Sequence, residues 1–324
     1  LQIKKGLSYF RLTMDAGLQR KIEHLFNDFF GTLLLLDLPQ NSILAAYSKP
    51  RFSRAANAVF SEAFEPGSII KIISLMAYLR QADQNLFPYV CPGQIVLGGK
   101  VFYDWTAHKQ VKDYSEALAL SCNLSFARMG LKVGSQRLAS LLERFYFNAR
   151  PFYDWFLKFQ TGTFKRELHN DLELANLAVG LGEISLTTVH AALLAAVFSQ
   201  NGLLFPPYII DDAKSILDLG FYSHSARPLR LLADDLNFGR VKKAMREVVN
   251  NENGTGRRAW SAAVNLAIKT GTAGDRKQGL DALIIGFFPS ENPRYAFAFR
   301  LEGAGKAEFN GAYFLRDLLK ILYK

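Results

Sequence analysis

A serine hydroxyl becomes a useful nucleophile only when a base can take its proton. Ser68-Ile69-Ile70-Lys71 is the one place in this chain where a lysine follows a serine at a spacing of three. On a helix that spacing puts both side chains on one face, a turn apart. Two further short patterns carry compatible groups. Ser121-Cys122-Asn123 offers a hydroxyl and an amide, and Lys269-Thr270-Gly271, which is unique in the chain, offers a second amine beside a hydroxyl. Ser-x-Asn recurs elsewhere, as at Ser199-Gln200-Asn201; the copy at Ser121 is preferred because it falls between the other two motifs. Each motif alone is weak, and their order and local settings give the set its weight.

The chemistry they suit is acyl transfer. Ser68 follows Glu65-Pro66-Gly67, which places it at a helix start, where unpaired N–H groups and the helix dipole favour developing negative charge. Lys71, desolvated and near another cation, would shed its proton more readily and serve as the base. Lys269 would supply that second charge and attract an anionic substrate, and an exposed strand edge at Lys269–Thr272 would align an extended peptide.

The elements that must position these groups follow from periodicity. Leu12 to Phe30 has apolar residues at helical spacing, and Leu33–Leu36 and Ile43–Tyr47 read as a hairpin around Pro39-Gln40-Asn41-Ser42. Ser68 to Leu79 reads as a helix after Pro66-Gly67. Gln81 to Arg230 is mostly helical, most clearly at Ala117–Met129 and at Leu174–Ser199, the latter broken near Gly180 and Gly182. Asn148 to Thr163 is an aromatic-rich irregular loop, and Val241–Val249 is a helix followed by the turn Asn253-Gly254-Thr255-Gly256. Asn265–Thr272, Ala282–Phe288 and Arg294–Arg300 read as successive antiparallel strands, and Phe309–Leu322 as a closing helix. The expected fold is α/β of the α+β kind: an antiparallel sheet built from N- and C-terminal strands, flanked by helices, with an inserted helical subdomain. Residues 1–80 and 240–324 would hold the sheet and residues 81–239 the helical part.

Composition is ordinary for a globular chain of 324 residues, about half of them apolar. The formal charge of +10 is spread singly or in pairs such as Lys4-Lys5 and Arg257-Arg258. A diffuse positive surface suits an anionic membrane or polymer at least as well as nucleic acid. The chain's most apolar stretch, Ile184 to Ile210, is interrupted by His190, Gln200, Asn201, Pro206 and Pro207 and is too polar for a membrane span. Residue 1 is Leu and no signal peptide is visible, so the chain reads as a trimmed fragment whose anchor lies outside it. Cys91 and Cys122 form neither a disulfide framework nor a metal site by spacing, and could pair only if the fold brings them together. The five histidines show no metal spacing. No metal and no cofactor are expected.

With those motifs in order, the chain resembles the transpeptidase domain of penicillin-binding proteins, relatives of the serine β-lactamases. Leu12-Thr-Met-Asp-Ala-Gly-Leu-Gln19 is similar to that family's opening segment and Phe64-Glu-Pro-Gly-Ser-Ile-Ile-Lys71 to its nucleophile helix. Ala117–Gly130, Gly180–Gly202, Val248-Val249 with Gly254-Thr255-Gly256, and Ile268–Ala273 match further blocks. The resemblance implies a periplasmic or otherwise extracytoplasmic enzyme in which Ser68 is acylated by a D-Ala-D-Ala stem peptide and Lys71 is the base. Ser121 and Asn123 would relay protons and hold the substrate amide, with Lys269 beside them. Thr270, Gly271 and Thr272 would bind the substrate, the two threonines its carboxylate. The N–H groups of Ser68 and Thr272 would form the oxyanion hole. A neighbouring stem peptide would then take the acyl group, β-lactam antibiotics would stall at the acyl stage, and cell-wall polymerase or divisome and elongation partners are implied. Leu181 stands where the family often has Gln, Thr188 where it has Pro, and Asp281-Ala-Leu where it often has Trp-Phe.

Other features have plainer readings. Asp104-Trp105-Thr-Ala-His108 reads as a structural histidine near an aromatic, and Cys122 as a small buried filler pointing away from its neighbours. Phe145, Tyr146, Phe147, Phe152, Tyr153, Trp155 and Phe156 read as subdomain core. Three rival functions remain open on the sequence: a β-lactamase or D,D-carboxypeptidase that passes the acyl group to water, a β-lactam sensor or scaffold without turnover, and, from charge alone, a nucleic-acid binder.

Overall fold

Four consecutive leucines, Leu33 to Leu36, cannot all face one side of a pleated strand, so both faces of that strand must be covered. The computed structural model of the chain describes residues 7–51, 57–154, 157–215, 221–223, 228–230, 235, 237–274 and 279–323. Lys4-Lys5, Trp155 and Phe156 fall outside the described residues. All four leucines are fully buried in strand β1 (Phe30–Asp37). With β2 (Ser42–Lys49), β3 (Ala267–Ala273), β4 (Asp281–Phe288) and β5 (Tyr295–Glu302) it forms an antiparallel five-stranded sheet in the order β3-β4-β5-β1-β2. The hairpin and the three C-terminal strands are thus where periodicity puts them, and the sheet is assembled from both ends of the chain. β1 pairs with β5, Leu36 opposite Ala296. Among the described residues β3 has one strand neighbour, and no strand pairs its other edge.

Side chains alternate across the sheet. Phe297 and Phe299 point to one face, where Phe299 meets Phe314 of the helix Ala312–Leu322 with ring centroids 4.8 Å apart. Ala296 and Ala298 point to the other, and their small size lets the helix Thr188–Ser199 lie close; every residue of that helix is buried. Thr188 bonds Thr32 of β1 hydroxyl to hydroxyl at 2.6 Å. The residue that departs from the family pattern therefore ties this helix to the sheet.

Several boundaries differ from expectation for local reasons. The first helix, α1 (Ala16–Leu25), is shorter than Leu12–Phe30. Asp15 caps it, its Oδ1 accepting from Leu18 N at 2.9 Å, and Leu12 belongs to a strand, Leu7–Leu12, paired with Ile210–Ser215. The expected continuous helix Ala117–Met129 is two, α2 (Tyr114–Ala119) and α3 (Asn123–Val133). Between them Ser121 takes φ 53°, a left-handed conformation that a non-glycine residue adopts only under constraint. The interruption after the helix α4 (Asp171–Val179) holds a strand, Ile184–Thr187, paired with Ala63–Phe64 just ahead of Ser68. The aromatic segment contains a small hairpin, Phe152–Asp154 with Leu157–Phe159. Among the described residues, no helix is long and apolar enough to cross a membrane.

Candidate active site

The turn that carries Ser68 is held by backbone packed so closely that side chains are excluded. Gly67 opens the 3-10 turn Gly67–Ile70, which runs into the helix α5 (Lys71–Leu79). Its φ is +50°, and a Cβ there would lie 2.8 Å from Thr272 O of β3. Gly180 ends α4 with φ +83°, and a Cβ there would lie 1.9 Å from Gly67 O. Three backbone segments therefore stack at Ser68. We expect Gly180→Ala to push the turn off β3, costing well over about 1 kcal/mol, which thermal melts of the variant check.

Ser68, Ser121, Asn123, Thr270, Gly271 and Thr272 all line one cleft of about 510 Å³. The two lysines lie buried behind it and meet at Ser121. Lys71 Nζ donates to Ser121 O (2.7 Å), Ser121 Oγ (3.2 Å) and Asn123 Oδ1 (2.6 Å). Lys269 Nζ donates to the same Ser121 Oγ (2.9 Å) and to Thr270 O (2.7 Å). The turn between α2 and α3 aims the Ser121 carbonyl and hydroxyl and the Asn123 amide at the amines, which accounts for the left-handed backbone at Ser121. The Ser68 hydroxyl takes part in none of these hydrogen bonds; it faces the cleft, half-buried, one helical turn from Lys71.

Two buried amines that share one hydroxyl cannot comfortably both be charged. Burial pulls the Lys71 ammonium down to about 8, against the opposing influence of the Asp104 carboxylate and Cys122. Burial, and then the charge of Lys71, holds Lys269 well below the usual lysine range. Near neutral pH the pair therefore sits close to losing one proton. Asp104 is itself perturbed: burial would raise its carboxyl, but His108 and the Lys71 ammonium outweigh that and hold it well below the usual carboxylate range.

The cleft also contains groups that sequence reasoning set aside. Thr255 joins Thr270 hydroxyl to hydroxyl at 2.6 Å and bonds Ala119 O, tying the Gly-rich turn to β3 and α2. Tyr103 O accepts from Asn123 Nδ2 at 3.3 Å, Trp105 Nε1 donates to Leu120 O, and Lys306 and Glu308 close the far wall. The signals were a Thr between two glycines and an aromatic run, neither of which names a role alone. Leu181 lines the cleft, and Asp281 accepts from Arg300 Nε at 2.7 Å, so two other departures from the family pattern also have local uses.

His108 is a buried neighbour of Asp104, 3.7 Å away, and His190 is structural, its ring accepting from Gly162 N and meeting Phe145 O. Cys122 is fully buried and caps α3, its sulfur accepting from Ser125 N at 3.3 Å. Spacing gave no hint that Cys91 Sγ, an Asp104 carboxylate oxygen and Cys122 Sγ lie within 4.8 Å of one another, the one group among the described residues able to hold a metal ion. Such an ion would need Cys122 as a thiolate, whereas burial pushes that thiol up beyond the usual cysteine range. A larger hollow of about 800 Å³, beside α5, is lined by Arg80, Lys132 and Arg137, but these pair with Asp235, Asp83 and Gln81, and none of the three motifs reaches it.

A relative from Haemophilus influenzae named peptidoglycan D,D-transpeptidase MrdA is 25% identical, the match covering 95% of this chain and 55% of that protein. Stage V sporulation protein D of Bacillus subtilis is 26% identical over 90% of this chain and 49% of its own length. The chain thus spans about half the length of these curated relatives. Among solved structures, the D,D-transpeptidase domain of a peptidoglycan glycosyltransferase from Eggerthella lenta superposes with a TM-score of 0.84 at 23% identity, covering 97% of this chain and 82% of that one. Pseudomonas aeruginosa PBP2 in complex with WCK 5153 gives 0.83 at 22% identity, covering 97% and 78%. These superpositions bear out the expected mixed fold with its antiparallel sheet. The family described as penicillin binding protein transpeptidase domain matches residues 31–319, and the chain belongs to that family.

Proposed function

We propose that this chain is the catalytic domain of a peptidoglycan D,D-transpeptidase. The observation that carries the reading is the convergence of Lys71 and Lys269 on Ser121, beside Asn123 and a half-buried Ser68, at the edge of β3 that no described strand pairs. The name of a relative at 25% identity points the same way.

In the proposed reaction a stem peptide lies along β3 with its terminal carboxylate at Thr270, Thr272 and Lys269. Neutral Lys71 keeps two N–H bonds, to Ser121 O and Asn123 Oδ1. Its longest contact, to Ser121 Oγ, is released, which turns a lone pair toward Ser68. Ser68 Oγ attacks the penultimate D-Ala carbonyl carbon and its proton passes to Lys71 Nζ. The oxyanion is held by the N–H groups of Ser68 and Thr272. The C–N bond breaks, and the leaving D-Ala amine takes a proton relayed through Ser121. An amine from a second stem peptide then attacks the ester carbonyl, its proton passing through neutral Lys71 to Ser68 Oγ as the C–O bond breaks, which frees the hydroxyl. β-Lactams enter as cyclic mimics of D-Ala-D-Ala and leave Ser68 acylated. Stem peptides lie outside the cytoplasmic membrane, so the domain would act there, with a polymerase and other cell-wall proteins as partners.

The test is a D-Ala-D-Ala thioester analogue supplied with and without a D-amino acid acceptor. Consumption with acceptor-dependent product supports transpeptidation. Consumption to acid alone assigns a carboxypeptidase, and stable penicillin labelling without consumption assigns a sensor. Because Lys71 must be neutral to accept the proton and titrates near 8, acylation should rise about tenfold per pH unit below that value and level off above it. A flat profile from pH 6 to 9 would remove Lys71 as the base.

A further inference from the structure

The ligand proposed for the cleft carries a carboxylate, yet neither motif lysine faces the space it would enter. Lys71 and Lys269 are fully buried, and neither lines the cleft. Lys269 Nζ is turned to Ser121 Oγ and Thr270 O, and burial together with Lys71 holds its charge down. Among the described residues that line the cleft, Lys306 is the one cation, and its side chain is 53% exposed.

Lys306 is set beside a hydroxyl assigned to that carboxylate. The next residue, Ala307, donates its N–H to Thr272 Oγ1 at 3.2 Å. Accepting there, the Thr272 hydroxyl keeps its own proton to donate into the cleft. Lys306 Nζ lies 5.4 Å from the ring of Trp105, which stands on the helical side of the cleft and is anchored through Nε1 to Leu120 O. The amine therefore reaches over the cleft rather than away from it.

Two carboxylates also line the cleft. Asp104 is turned inward, its oxygens accepting from Trp105 N and Leu124 N. Glu308 Oε1 lies 3.7 Å from Lys306 Nζ, beyond hydrogen-bonding distance. A pair this open to water is worth at most about 1 kcal/mol, and a cation on an exposed ring about 0.5–1 kcal/mol. Lys306 is thus held loosely, by partners that an incoming anion can replace. An ammonium on a long flexible stem can leave the ring and follow that anion; the buried Lys269 amine, bonded to two oxygens, is not free to do so.

We infer that Lys306 selects carboxylate-bearing acyl donors, pairing with the ligand carboxylate while Thr270 and Thr272 hydrogen-bond it, and that Glu308 competes for the same amine. The inference rests on the transpeptidase reading and adds to it the charge that tells a free carboxylate from an ester.

The probes are benzylpenicillin and its methyl ester, which differ at the carboxylate alone. Equilibrium binding of each is followed by ligand-observed NMR on the Ser68→Ala protein, where no acylation intervenes, and on the same protein carrying Lys306→Gln, Lys306→Arg or Glu308→Gln. The parent should prefer the acid, and Lys306→Gln should cut that preference roughly tenfold, as for loss of a hydrogen bond between charged groups. Unchanged binding of the ester shows that the fold survives. Lys306→Arg should restore most of the preference. Glu308→Gln should tighten binding of the acid about threefold, by removing the competitor. Salt should weaken the acid's binding to the parent, and much less to Lys306→Gln. An equal loss for acid and ester would make Lys306 a structural residue and overturn the inference. So would a parent that binds no acid or shows no preference for it, a preference untouched by Lys306→Gln, or weaker acid binding by Glu308→Gln. Covalent labelling of the protein with Ser68 intact reports the acyl-transfer reading separately: no labelling, beside a Lys306-dependent preference in Ser68→Ala, sinks that reading and leaves this one standing.

Discussion

Ser68→Ala should abolish labelling by a fluorescent penicillin while leaving the protein folded. The hydroxyl is the only atom removed, and it takes part in none of the hydrogen bonds that hold the cleft together. The helix after it, α5, is fully buried through Ile72, Ile73, Leu75 and Met76, and none of those contacts changes. Loss of stability should stay within about 0.5 kcal/mol, as for substitutions away from packed or paired groups. Intact mass spectrometry gives the cleanest reading: wild type gains the mass of one penicillin, and the variant gains none. A variant that still took up the drug covalently would place the nucleophile elsewhere, and the reading of the whole cleft would go with it.

Lys71→Ala should keep the nucleophile and lose its activation. General-base catalysis contributes about 10²- to 10⁴-fold, and Lys269 is poorly placed to substitute because its amine is engaged by Ser121 Oγ and Thr270 O. The acylation rate should fall by that factor, with labelling still approaching completion at long times. The pH profile should also lose its rise below about 8, which separates a base from a merely structural cation. The variant leaves Ser121 O and Asn123 Oδ1 without a buried donor, so it should also melt earlier. Lys71→Met keeps the packing volume and separates the two effects. Near-normal labelling of both variants would exclude Lys71 from the mechanism.

What could be read from the sequence was local. A Ser–Lys spacing of three survives any helical turn, and the 3-10 start at Gly67 keeps both residues on the same side. The hairpin of Leu33–Leu36 with Ile43–Tyr47 and the short runs Ala282–Phe288 and Arg294–Arg300 read as antiparallel strands from their apolar patterning and the turn residues between them. What stayed hidden depends on chain segments meeting. Nothing in Leu118–Leu124 signals the left-handed backbone at Ser121, because helix propensity there is adequate and the constraint comes from the amines that Ser121 receives. Thr255 acquires its role only when β3 brings Thr270 against it. Cys91 and Cys122, far apart in sequence, become neighbours only in the fold, where both sulfurs meet the Asp104 carboxylate. Ile184–Thr187 reads as helix continuation until its partner, Ala63–Phe64, is known.

The pairing of β1 with β5 has a bearing on how the polypeptide is made. The leucine-rich strand is synthesised well before β5, the strand that covers its inner edge. Until then β1 and β2 form a greasy two-stranded ribbon with an open edge, which is marginal in water and prone to stick to other chains. A nascent copy must therefore be shielded while everything between β2 and β5 is made, and a ribosome stalled ahead of Tyr295 would release a product with no means of closing this sheet.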